Sequence, residues 1–172
     1  MEYQDSAATV QATESADAPA ALRLAIANIN PATGLATDYL NHFNEAIMLL
    51  EMLPACPDCR ADFLDWRAKS YREHFADSHS QSRDIAIAAY ETADLDARES
   101  LDALAGTMTA VLEAARAAMR ADLPPEVASA LAHRTSASLK PLVARAGAVI
   151  NGDANGSRPV APQTIVDALM KR

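Results

Sequence analysis

Residues 81–120 read QSRDIAIAAYETADLDARESLDALAGTMTAVLEAARAAMR, with no proline and a single glycine, Gly106. Leu101, Leu104, Met108, Val111, Leu112, Ala115 and Met119 recur along this stretch at helical spacing, which places all seven on one stripe of a helix. Arg98, Asp102, Glu113 and Arg116 fall outside the stripe and are expected to face solvent. The pattern predicts one long amphipathic helix over about 81–120, irregular at 92–96 where Asp94 and Asp96 are weak helix formers. At 1.5 Å per residue it would run to about 55–60 Å, more than a single domain of this size can cover. A second copy of the chain is the expected cover, giving a homodimer whose interface uses the seven stripe residues. The competing outcome is a break at 92–96 that folds the segment back into a compact monomer.

The rest of the chain agrees on class. Half of its 172 residues are hydrophobic, much of that alanine, while aromatics make up 5% and glycine is sparse. Alanine, leucine, arginine and glutamate favour helix, so the expected fold is an all-α helical bundle. Its expected parts are a disordered arm over 1–18, a helical domain over 19–150, a flexible linker over 151–161 and a C-terminal amphipathic helix over 162–172. In that last helix Ile165, Val166, Leu169 and Met170 form the apolar edge.

Turn chemistry divides the helical domain. A short helix over 20–29 ends at Asn30-Pro31, and Pro31-Ala-Thr-Gly34 makes a turn. A helix from Thr37 or Asp38 to Leu53 carries Tyr39, Phe43, Ala46, Ile47, Leu50 and Leu53 on one face. Met48, Leu49 and Met52 make its end apolar nearly all round, which implies burial on more than one side. After Pro54-Ala-Cys-Pro57 a second helix is expected over 57–75. Leu123-Pro-Pro125 stops the long helix and opens the next. Residues 135–138 then read as a boundary, with Pro141 in the first turn of a fresh helix; one helix kinked at Pro141 is the alternative.

Charge is unevenly placed within the net −8. Residues 1–115 hold 7 basic and 19 acidic side chains, and residues 116–172 hold 8 basic and 4 acidic. An acidic body argues against nucleic acid or an anionic membrane as partner, because phosphate contact needs clustered Lys and Arg. The basic C-terminal helices are expected to lie over the acidic ones. The N-terminus carries no secretory signal pattern and no run is long enough to span a bilayer, so the chain reads as cytoplasmic.

Three clusters carry chemistry. Cys56-Pro-Asp-Cys59 at a helix start could share a metal or cycle to a disulfide, and a helix N-terminus lowers a thiol pKa. A zinc or iron site would need more donors, for which His42, His74 and His79 are the candidates. Without them the pair is two ordinary thiols at a helix cap. His42-Phe-Asn-Glu45 sets an imidazole and a carboxylate on one helix face, half of an acid/base or metal site, or else a simple polar face. Arg72, His79 and Arg83 mark a polar corner that could hold a small anion between helices, with Arg72 also near His42 and Glu45 in a ligand-site reading. Serine-hydrolase, phosphate-loop and nucleotide fingerprints are missing. The leading expectation is a non-enzymatic helical module that binds another protein or itself; a metal- or thiol-redox-responsive bundle is the alternative.

Overall fold

The structure is a computed structural model that describes residues 20–56, 58–79, 81–153 and 166–168. Among these residues it is an all-α bundle without a strand beyond one isolated antiparallel bridge, Ile29 to Ala36. The helices are α1 (Ala20–Ile26), α2 (Asn41–Met52, entered through a 3₁₀ turn at Thr37–Leu40), α3 (Cys59–Asp65), α4 (Tyr71–Ala76), α5 (Arg83–Glu91), α6 (Leu95–Met119) and α7 (Pro125–Ile150). None is long and apolar enough to cross a membrane.

The frame is the hairpin of α6 and α7, 25 and 26 residues long and joined by the proline-rich stop at 120–124. All seven residues of the α6 stripe are buried in the single chain, Leu101, Met108, Val111, Leu112 and Met119 completely. They meet α7 through Leu131, Ala132, Leu139, Leu142, Ala146 and Val149, while α2 closes the other side of α7 with Phe43, Ala46, Ile47 and Leu50. The stripe is therefore covered within one chain. Two departures from the expected chain path explain this. The 81–120 segment is two helices, and 125–150 is one long helix instead of two short ones, so the chain supplies its own cover.

The break at 92–94 has a local cause and a tertiary one. Asp94 leaves the helical region and its carboxylate accepts from the Ala97 N–H (2.9 Å), capping α6. The turn at 31–34 fills the gap, with the Asp94 N–H donating to the Thr33 carbonyl (3.3 Å) and the Thr33 hydroxyl donating to the Ile150 carbonyl (2.6 Å) at the end of α7. Gly34 sits at φ +73°, and a Cβ there would lie 3.0 Å from the Ala89 carbonyl oxygen and 3.1 Å from Ala93. Only glycine gives both the left-handed backbone and that close approach.

α7 continues through 135–138 because its hydroxyls turn inward along the helix. Thr135, Ser136 and Ser138 donate to the carbonyls of Leu131, His133 and Thr135, so they end nothing. Pro141 is on the exposed face, where the carbonyl it frees, that of exposed Ala137, reaches water.

The expected 57–75 helix is likewise broken. Trp66 turns to ψ 140°, residues 66–70 run extended, and α4 begins at Ser70 with a reciprocal Ser70–Glu73 capping box. Met48 and Met52 are about half exposed rather than buried. Arg116, expected in solvent, is 3% exposed: it pairs with Glu113 (2.6 Å) and donates to the Leu64 carbonyl (2.7 Å). Arg60 answers from α3, donating to the Met119 and Ala121 carbonyls at the end of α6. The charge asymmetry is used once between helices in the described ion pairs, where Lys140 of α7 meets Glu51 of α2.

The 1–18 arm lies outside the described residues, as does most of 151–172. Of the C-terminal helix only 166–168 is described; it is helical, and Val166 packs on the core.

Candidate functional site

The structure brings His42, Glu45 and His74 together. With Asn41, Lys69, Asp77 and Ser78 they line a shallow pocket of about 250 Å³ between the first turn of α2 and α4. The extended 66–70 segment builds it. The Trp66 indole N–H donates to the His42 carbonyl (3.2 Å) and the Lys69 N–H donates to His42 Nε2 (3.1 Å), while the Tyr39 hydroxyl donates to the Lys69 carbonyl (3.0 Å). The His42 ring stacks on Trp66 at 4.7 Å, and His74 lies 6.0 Å from it.

Burial pushes the His42 pKa down to about 4, with the charges of His74 and Lys69 adding to the effect. Burial also lowers His74. His42 is thus neutral at pH 7. Nε2 already accepts an amide hydrogen bond, so the ring proton sits on Nδ1 and the lone pair a metal or base would need is occupied. At the rim Lys69 pairs with Asp77 (2.9 Å). The pocket lining thus offers two imidazoles, two carboxylates, the Lys69 ammonium and the Ser78 hydroxyl.

Cys56 and Cys59 are free thiols, Cys56 half-buried and Cys59 buried. The Cys59 N–H donates to the Cys56 carbonyl (3.0 Å), closing a turn. Contrary to the expected lowering at a helix start, the Cys59 thiol is pushed up to about 11. A hydrogen bond with Cys56 is the main cause, followed by burial and by Cys56, Asp62 and Asp58 charges. α3 is one short helix of 7 residues.

The four metal ligands expected from sequence therefore stand as two pairs, Cys56 with Cys59 and His42 with His74. Among the described residues no group of three or more His, Cys, Asp or Glu side chains could hold a metal ion. His79 is exposed on the connector after α4. The anion corner is taken up as well: Arg72 pairs with Glu91 (3.0 Å) and Arg83 with Asp84 (3.3 Å).

A larger feature escaped the sequence reading. Between α1 and α5, floored by the 31–34 turn, lies an apolar groove of about 660 Å³. Leu24, Pro31, Ile85, Ala88, Ala89 and Ala93 form its walls, with Arg23, Asp84 and Asp94 along its edge. Beside it α1 exposes Leu22 (51%) and Ile26 (66%), and Ile85 is 39% exposed. α1 ends at Asn28 in the left-handed region (φ 58°), with the Ile29 N–H returning to the Leu24 carbonyl (2.9 Å). The (i, i+4) pair Leu22 and Ile26 on α1 is the signal a sequence offers, and it is faint.

Compared with known proteins, the chain matches no family model, no curated protein and no solved structure.

Proposed function

We propose that this protein is a non-enzymatic helical interaction module that self-associates through the α1–α5 groove. The observation that carries the reading is an apolar cavity large enough to receive side chains, with Ile85 exposed on its wall and Leu22 and Ile26 exposed on the outer side of α1. A two-fold arrangement places the outer edge of α1 from each copy against the groove of the other, so one patch serves as both knob and socket. Free thiols fit a reducing compartment, which supports a cytoplasmic setting.

Burying an exposed Leu or Ile gives at most about 1.5–3 kcal/mol. The two copies together offer only a few such side chains against an association cost of about 4–15 kcal/mol. The dimer is accordingly weak, with dissociation in the range of about 10 μM to 1 mM.

Light scattering across a dilution series tests this. The expected result is a mass that climbs from one chain toward two, and that stays at one chain in Ile26→Glu and Ile85→Glu with helicity unchanged. Both positions are exposed, so a charge is tolerated in the fold. A wild-type mass of one chain throughout that range would sink self-association and leave the groove to an apolar segment of another protein.

A further inference from the structure

We propose that Cys56 and Cys59 form a reversible dithiol–disulfide couple in which Cys56 meets a small-molecule disulfide and Cys59 resolves the product.

A backbone hydrogen bond already ties Cys59 to Cys56. The Cys59 N–H to Cys56 carbonyl bond (3.0 Å) is an i to i+3 turn closure. Such a turn holds its end Cα atoms within about 7 Å, and a disulfide spans Cα separations of about 4.4–6.8 Å. Joining the two thiols therefore asks for side-chain rotation, not for movement of α2 or α3.

Access divides the roles. Cys56 is half-buried and can be reached, whereas Cys59 is 5% exposed and sits under the chain with Phe63 one turn on. A glutathionyl group fits on the first sulfur and not on the second. The chemistry balances with oxidised glutathione as the oxidant. The Cys56 thiolate attacks one sulfur of glutathione disulfide, forming a mixed disulfide and releasing one glutathione thiolate. The Cys59 thiolate then attacks the Cys56 sulfur, the Cys56–glutathione bond breaks, and a second glutathione leaves. Each protein thiol gives its proton to solvent and each departing thiolate takes one up, so two protein thiols are oxidised and one small disulfide is reduced to two thiols.

In the second step the attacking species is the Cys59 thiolate. Its position gives closure a structural reach. Cys59 is the first residue of α3, and the next residue, Arg60, grips the Met119 and Ala121 carbonyls at the end of α6. A ring closed at Cys59 fixes the start of the helix that carries this clasp. The inference is independent of self-association at the α1–α5 groove.

Intact-mass analysis of the full chain in mixtures of reduced and oxidised glutathione tests the couple. Wild type should lose the mass of two hydrogens, return to the dithiol on adding reductant, and show glutathionylated protein only as a transient. Closure should speed up as pH rises and more thiolate forms. Cys59→Ser should stop at the mixed disulfide, and Cys56→Ser should stay unmodified, with circular dichroism reporting that each variant is folded. The proposal is overturned if wild type stays reduced in excess oxidised glutathione or stops at the mixed disulfide. Modification of folded Cys56→Ser as fast as Cys59→Ser also overturns it. The wild-type arm decides the matter even where a variant does not fold.

Discussion

Between Ala36 and Tyr90 the chain keeps all three phenylalanines, its one tryptophan and every tyrosine but Tyr3, whereas the α6–α7 hairpin has no aromatic residue at all. The first region is held by individual contacts. Tyr71 stacks on Tyr90 at 4.5 Å and accepts the Ala36 N–H at its hydroxyl (2.9 Å), while Tyr90 donates to the Asp102 carboxylate (2.7 Å) under the Arg98 guanidinium. The second region is held by periodic burial of leucine, methionine and alanine, with Thr107, Thr135 and Ser136 satisfied by their own helices. A seam of that kind is set by volume and tolerates exchange among similar side chains. A node of rings and directed hydrogen bonds tolerates much less, since each partner lost leaves a buried polar group behind. Two ways of making a core thus meet in one small bundle, and substitutions should tell them apart.

The largest contrast comes from Trp66, 6% exposed and bonded to the His42 carbonyl. Trp66→Ala should destabilise the protein by about 3–5 kcal/mol, whereas Leu112→Met in the hairpin should cost less than about 1.5 kcal/mol. Chemical denaturation of both variants measures the difference. Equal costs would mean the node is no more demanding than the seam.

Acid should act on the node next. His42 titrates near 4 in the fold and near 6.5 when unfolded, so folding favours its neutral form. The stability this confers is complete above pH 6.5 and is lost as pH falls toward 4. The loss amounts to about 2–3 kcal/mol, with His74 acting in the same direction. Urea melts from pH 7 to 4 should show this slope in wild type and a shallower one in His42→Gln. Parallel slopes would remove His42 from the account.

The smallest effect expected within the node is that of Tyr71→Phe, which keeps the ring stack and leaves the buried Ala36 N–H without its acceptor. It should cost about 1–3 kcal/mol, toward the lower end because the ring remains. A neutral result would show that water replaces the hydroxyl.

Sequence and fold agree where a local pattern decides the structure. The α2 face of Tyr39, Phe43, Ala46, Ile47, Leu50 and Leu53 is buried as its spacing predicts, and Pro124-Pro125 separates α6 from α7. They part where distant groups decide. Residues 57–75 have helical spacing throughout, yet 66–70 is extended because His42 and Tyr39 satisfy its backbone from α2 and the 3₁₀ turn before it. The Ser70-x-x-Glu73 capping box was the one local sign of that break. In α7 the hydroxyls of residues 135–138 resemble a boundary in sequence, but they bond within the helix. The pairing of His42 with Glu45 was legible as an (i, i+3) spacing. Its junction with His74 and Lys69 was not, and neither was the α1–α5 groove, whose walls are far apart in the chain and share no period.

Methyl NMR on a dilution series tests the central claim, self-association through that groove, most directly. Concentration-dependent shifts are expected at the Ile26, Ile85 and Leu24 methyls, with Leu104 and Leu112 on the buried α6 stripe unchanged. Spectra that do not change up to about 1 mM, or shifts confined to the 101–119 stripe, would contradict it.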